Sequence, residues 1–183
     1  MLGLSQRKGL MIHSAAFASG LLSSFFVKNV FDEEQMMPFG GVLGHCCRGG
    51  SVIYLDGTLG MGKTTLSRAL IQGLGWTDRV KSPTYTLYEQ YDLPDVQVCH
   101  FDLYRLSDPE ELEFLGIRDL DSQRSIWLIE WPEKGDGYLP PADIRLTLAP
   151  GTEDDNRTLS LDGLTMRGQQ QVQAVSEQLW GWV

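Results

Sequence analysis

Apolar positions along the chain change period several times, and each change marks an element. Val52-Ile53-Tyr54-Leu55 is a continuous apolar run that reads as a buried strand. Leu66, Ala69, Leu70 and Leu74 then recur at helical spacing, which predicts a helix over Thr64–Leu74 with Gly75 as its left-handed terminator. Thr84–Tyr91 and Val96–Asp102 are rich in strand formers, and Tyr91-Asp92-Leu93-Pro94-Asp95 is the turn between them. Asp108-Pro109-Glu110-Glu111 opens a helix that runs through Leu112 and Leu115 to Gly116, with Asp108 as cap and Glu111 completing a capping box. Ser125–Glu130 is a short buried strand that ends in an acid. Ile144, Leu146 and Leu148 alternate as in a half-exposed strand, Thr158–Leu161 can pair with it, and Gln169–Trp180 reads as a closing helix. Residues 32–47 predict only a weak first helix, because Pro38, Gly40, Gly41 and Gly44 interrupt it.

The segment between the first strand and its helix points to a class of ligand. Gly57-Thr58-Leu59-Gly60-Met61-Gly62-Lys63-Thr64-Thr65 fits G-x-x-x-x-G-K-[ST], the phosphate-binding P-loop or Walker A motif. Gly57, Gly60 and Gly62 permit torsions that let successive N–H groups turn toward a phosphate. Lys63 can reach β- and γ-phosphates, Thr64 can offer a hydroxyl to Mg²⁺, and Met61 and Thr65 lie within the same cradle, where a helix points its positive end at the anion. Strands alternating with helices around such a loop imply an α/β, three-layer P-loop NTPase fold, with a mainly parallel central sheet and antiparallel additions.

A magnesium-bound nucleotide also needs carboxylates, and two stand where such folds place them. Glu130 ends the apolar run Ile126-Trp127-Leu128-Ile129, and Asp102 ends Val96-Gln97-Val98-Cys99-His100-Phe101. Either could hold the metal or its water, or act on the attacking water. Ser82 and Thr84 follow the P-loop helix and are candidate sensors of the γ-phosphate, although a plain polar turn explains them equally well. His100 fits a packed or hydrogen-bonded histidine better than a catalytic base. Trp131 and Tyr104 can flank a nucleotide or simply pack, and Arg105, Arg118 and Arg124 can meet phosphate or a partner or simply be surface charge.

Composition narrows the partners. The 183 residues carry a net charge of -9, with a sequence pI near 4.7. Such a surface argues against tight direct binding of DNA or RNA. No apolar stretch is long enough to span a bilayer, and three cysteines without C-x-x-C spacing suit a reducing cytoplasm. Arg7-Lys8 followed by the apolar stretch Ala15–Phe26 has the order of a signal peptide. An upstream translation start or an N-terminal extension, disordered or lightly docked, suits a cytoplasmic nucleotide enzyme better.

Five segments in order resemble the TsaE family, also known as YjeE. They are Leu59–Thr65, Val80–Leu87, His100–Leu106, Asp108–Asp119 and Leu128–Glu133, and the later ones are more specific than the P-loop. The resemblance covers about residues 28 to 165. It implies that residues 28–183 are a single P-loop ATPase domain behind an extension of residues 1–27. It further implies a cytoplasmic subunit that binds and hydrolyses ATP with Mg²⁺, and that associates with the TsaB–TsaD heterodimer during tRNA threonylcarbamoyladenosine (t6A) modification, touching tRNA only through those partners. By position, Lys63 would hold phosphate, Thr64 and Glu130 would serve Mg²⁺, and Asp102 would serve the metal or the hydrolytic water. Thr58 stands where the family commonly has Asp, Met61 where Ala is usual, and Met36 where a small or polar residue is frequent. A small-molecule P-loop kinase and a nucleotide-dependent interaction module with negligible hydrolysis are the competing readings of the motif. A GTPase reading lacks both N-K-x-D and D-x-x-G.

Overall fold

A computed structural model of the chain describes residues 25–30, 33–121, 124–151 and 157–180. Among the described residues seven strands form one sheet in the order β1-β7-β6-β2-β5-β4-β3. They are β1 (Phe25–Val30), β2 (Ser51–Asp56), β3 (Tyr88–Asp92), β4 (Gln97–Asp102), β5 (Ser125–Glu130), β6 (Ile144–Pro150) and β7 (Arg157–Gly163). The central four, β6, β2, β5 and β4, run parallel, whereas β3 pairs antiparallel with β4, β7 with β6, and β1 with β7. The expected α/β fold is therefore present. The boundary anticipated between residues 27 and 28 falls inside β1, and residues 1–24 lie outside the described residues.

Burial on both faces explains why β2 and β5 are almost wholly apolar before their last residue, whereas β6, buried on one face, alternates. On one face α1 (Glu33–Cys46), α2 (Lys63–Gly73) and α4 (Met166–Trp180) cover a core that includes Phe39, Leu43, Leu70, Ile53, Leu128 and Leu146. The other face is covered by short pieces. The single turn α3 (Glu111–Phe114) and 3-10 turns at Ile117–Asp119 and Pro132–Gly135 enclose Phe101, Leu103, Leu112, Trp127 and Ile129. The turn into α3 is closed reciprocally, with Asp108 accepting the Glu110 N–H at 2.9 Å and Glu111 the Asp108 N–H at 2.9 Å, but the α-helix itself covers only Glu111–Phe114, short of the Gly116 expected. Among the described residues no helix is long and apolar enough to cross a membrane.

Two departures from sequence expectation bear on the site. The first helix is continuous over Glu33–Cys46 despite its glycines and Pro38. Its glycines are contact surface: a Cβ at Gly40 would lie 2.6 Å from the Ala69 Cβ, and a Cβ at Gly73 would lie 2.4 Å from the Gly41 Cα. Close approach to α2 thus offsets poor intrinsic propensity. Secondly, the strand expected over Thr84–Tyr91 begins only at Tyr88. Leu87 takes a left-handed φ of 62° and donates its N–H to the Pro83 carbonyl at 2.7 Å, so residues 83–86 turn rather than extend. Helix α2 ends as its sequence indicates, because Gly75 (φ 108°) donates to Gln72 O and Trp76 to Ile71 O in a Schellman pattern.

Candidate nucleotide site

The parallel strands end together, and that places the candidate residues. β5 lies between β2 and β4, with Glu130 in register with both Leu55 and Asp102. β2 passes directly into the glycine-rich loop. A cavity of about 260 Å³ at these carboxyl ends is lined by Leu59–Thr65, Thr84, Asp102, Tyr104, Glu130 and Trp131. Of the expected cradle residues, Gly60, Met61, Gly62, Lys63, Thr64 and Thr65 line it directly. Gly57 contributes through its carbonyl.

The loop has the backbone that a phosphate cradle requires. Gly57, Gly60 and Gly62 have φ of 143°, 82° and 100°, and Gly62 is the N-cap of α2 with no side-chain bond to the first turn. Early N–H groups of that helix are therefore not consumed by a capping side chain. Lys63 is buried, donates from Nζ to Gly57 O and to Thr58 O at 3.2 Å, and lies 4.0 Å from the Trp131 ring centroid. Burial pulls its pKa below the ordinary 10.5, against the opposing pull of Glu130, Asp102, Glu133 and Asp56. Thr58 contributes its carbonyl to Lys63 and to the Met61 N–H, so the side chain at that position is free to vary. The Met36 side chain lies beneath the loop, with its Cε 3.8 Å from where a Cβ on Gly62 would stand.

Two hydrogen-bonded groups face this loop. Thr64 Oγ1 donates to Glu130 Oε2 at 3.1 Å, and the buried His100 Nε2 meets Glu130 Oε1 at 2.8 Å. Thr84 Oγ1 donates to Asp102 Oδ2 at 2.8 Å, Ser82 Oγ meets Thr84 Oγ1 at 2.8 Å, and the Tyr104 N–H donates to Asp102 Oδ1 at 3.2 Å. The turn created by Leu87 is thus what carries Thr84 to the site; Ser82 reaches it only through Thr84. Glu130 and Asp102 are 2% and 5% exposed, so both carboxylates are largely withdrawn from bulk water while still lining the cavity.

The donor set fits magnesium bound with a nucleotide. Buried carboxylates beside a triphosphate would repel it, and one lysine cannot balance both. A hard divalent cation would, and it takes oxygen donors of the kind that Thr64, Glu130 and Asp102 present. Among the described residues no group of three or more His, Cys, Asp or Glu could hold a metal by itself. A nucleotide-borne Mg²⁺ needs no such cage, because phosphates and water complete its shell.

The sequence leaves Trp131 and Tyr104 between flanking a ligand and packing, and the structure places them both at the cavity wall and against each other. Tyr104 and Trp131 both line the cavity with ring centroids 5.0 Å apart, and Trp131 takes a left-handed φ of 59° immediately after Glu130. No local pattern announces that torsion. Arg105 stacks over the exposed Tyr85 ring at 4.6 Å, the Arg118 side chain lies outside the described residues, and Arg124 is exposed. A second hollow of about 310 Å³, beside Tyr54, Asp56 and Arg145, is bridged by the 2.8 Å Arg145–Asp56 ion pair and contains none of the cradle.

Residues 30–159 match the sequence family described as Threonylcarbamoyl adenosine biosynthesis protein TsaE. The tRNA threonylcarbamoyladenosine biosynthesis protein TsaE of Haemophilus influenzae is 52% identical over 125 residues, covering 68% of this chain and 78% of its own. Its namesake from Nostoc is 38% identical over 126 residues, covering 67% of this chain and 76% of its own. The crystal structure of Bacillus subtilis YdiB superposes with a TM-score of 0.73 at 22% identity, over 86% of this chain and 98% of that one.

Proposed function

Because the chain belongs to the TsaE family, we propose that it is a cytoplasmic, magnesium-dependent P-loop ATPase whose hydrolysis of ATP supports the TsaB–TsaD threonylcarbamoyltransferase in tRNA t6A modification. The observation that carries the hydrolytic reading is the meeting of Lys63, the Thr64–Glu130 pair and the Thr84–Asp102 pair around one cavity. The names of the relatives support the tRNA role. The acidic charge supports a division of labour in which partners handle the RNA.

Each residue has a chemical task in this reading. The loop N–H groups and the first turn of α2 bind phosphate oxygens. Lys63 exchanges its carbonyl partners for the β- and γ-phosphates. Thr64, Glu130 and Asp102 are the oxygen donors available to Mg²⁺ or its water, and Mg²⁺ when bound neutralises charge on the phosphate oxygens. Glu130 or Asp102 orients the attacking water. Thr84, tied to Asp102, links the turn at residues 83–86 to the γ-phosphate, and Trp131 with Tyr104 excludes water from one side.

Phosphate release by the purified protein, with and without TsaB–TsaD, tests the proposal. Slow hydrolysis alone, stimulation by the pair, and loss in Lys63→Ala and Glu130→Ala are expected. If saturating TsaB–TsaD leaves the rate unchanged and Glu130→Ala has no effect, the catalytic assignment fails. Transfer to a metabolite instead of water would point to a kinase.

A further inference from the structure

We propose that His100 is a positioning residue for Glu130, fixing which carboxylate oxygen faces the P-loop. This rests on the ATPase reading above and adds a residue to its machinery. His100 is fully buried in β4, one strand register below the acids: it pairs with Leu128, and Asp102 pairs with Glu130 two residues farther on. Strand alternation puts His100 on the same side of the sheet as Asp102. From there its Nε2 reaches up to Glu130 Oε1 at 2.8 Å, while Glu130 Oε2 accepts from Thr64 at 3.1 Å.

The other ring nitrogen decides between a structural and a functional reading. Nδ1 is buried and has no hydrogen-bond partner among the described residues. A carboxylate only accepts, so Nε2 is the donor to Glu130, and Nδ1, with or without a proton of its own, is left unsatisfied in the interior. Such a group is a net cost to the fold, and an apolar side chain would pack there without it. What the imidazole supplies in return is one N–H aimed at one oxygen of one acid. With Oε1 held, Glu130 cannot turn about its terminal bond, and Oε2 is presented to Thr64 and the cavity in a single orientation. Outer partners that orient a metal-binding or catalytic carboxylate act in this way.

His100→Leu and His100→Gln, compared with wild type, test the role. Leu removes the donor, whereas the Gln amide can return an N–H at similar reach. Three measurements are needed: melting of the ligand-free protein, calorimetric ADP binding in EDTA and in Mg²⁺, and phosphate release in the presence of TsaB–TsaD. His100→Leu is expected to melt at or above wild type and to bind ADP normally in EDTA. It should lose the Mg²⁺-dependent gain in affinity, and its kcat should fall about 10- to 100-fold with little change in KM. His100→Gln should restore most of both losses. A His100→Leu protein that keeps the Mg²⁺ gain and wild-type turnover overturns the proposal. So does one that melts lower and loses EDTA binding in proportion, with no rescue by Gln, since that is the behaviour of a packing residue. If wild type releases no phosphate even with TsaB–TsaD, the hydrolysis reading falls, and the Mg²⁺ gain alone then decides: lost in His100→Leu it supports positioning, kept it refutes it.

Discussion

The two ends of β2 both contain buried polar groups, and they are finished differently. At the amino end every bond closes on another part of the fold. Ser51 Oγ donates to Gln171 Oε1 at 2.9 Å, and Gln171 Nε2 donates to Gly50 O at 3.0 Å. Asp143 accepts from the Val52 N–H at 3.1 Å and from Thr165 Oγ1 at 2.6 Å, tying β2 and β6 to the start of α4. At the carboxyl end the polar groups are held but not used up. Lys63 rests on loop carbonyls, Glu130 and Asp102 keep lone pairs toward a cavity, and His100 Nδ1 has no partner among the described residues. Buried polarity that is saturated belongs to stability, and buried polarity with spare capacity marks where a ligand completes the structure.

Substitutions at the two ends should therefore separate folding from chemistry. The largest effect is expected from Gly168→Ala at the saturated end, where the new Cβ would lie 1.8 Å from Asp143 O. It should cost about 3 kcal/mol of stability in urea melts, with turnover per folded molecule unchanged. Asp102→Ala at the open end should do the reverse. Turnover should fall about 100-fold, equivalent to about 2.7 kcal/mol of transition-state stabilisation, with melting nearly unmoved, because the two donors it releases, the Thr84 hydroxyl and the Tyr104 N–H, belong to residues lining the cavity, where water can reach them. A comparable loss of melting temperature in Asp102→Ala would erase the distinction.

Gln171→Leu comes next. It strands Ser51 Oγ and Gly50 O and should cost about 2 kcal/mol, and Ser51→Ala in the same chain should cost less than the sum of the two changes. The smallest effect concerns pH. Burial holds Lys63 below its ordinary pKa of 10.5, so the unfolded chain binds more protons between the folded pKa and 10.5. Lys63 therefore opposes folding in full below its folded pKa, and that penalty disappears as pH rises toward the unfolded value. Lys63→Met should accordingly be more stable than wild type near neutrality, with the difference shrinking through the alkaline range in chemical melts. A difference that is constant with pH would mean the lysine carries no such penalty.

How much of this was legible in the sequence follows the same division. The glycine-rich loop was, because a P-loop is a contiguous pattern, and Gly57, Gly60 and Gly62 take the positive φ that it implies. That Asp102 and Glu130 stand at strand ends was legible from the apolar runs before them; that both are buried and line one cavity was not, because an exposed strand-end carboxylate has the same local pattern. The helical character of residues 33–46 was undervalued, since the propensity penalty of Gly40 and Gly41 is visible locally while their contact with Ala69 and Gly73 is not. Thr84 was ambiguous for a similar reason. Its placement depends on the left-handed torsion at Leu87, a residue whose side chain argues against it. The His100–Glu130 bond joins positions 30 apart on different strands, and only strand register brings them together.

The glycine contact between α1 and α2 also has a kinetic meaning. These two helices are separated in sequence only by β2 and its loop, whereas Ser51 and Gln171 are 120 residues apart. Short loop closures come first when a chain collapses. Helix α1, β2 and α2 can thus assemble as one local unit, with the phosphate loop at its tip, before the last helix arrives. In refolding experiments, a substitution at Gly73 should slow folding, and one at Gln171 should chiefly speed unfolding. The cradle would then be the oldest part of each newly made molecule, and the polar clasp at the other end of β2 the last to close.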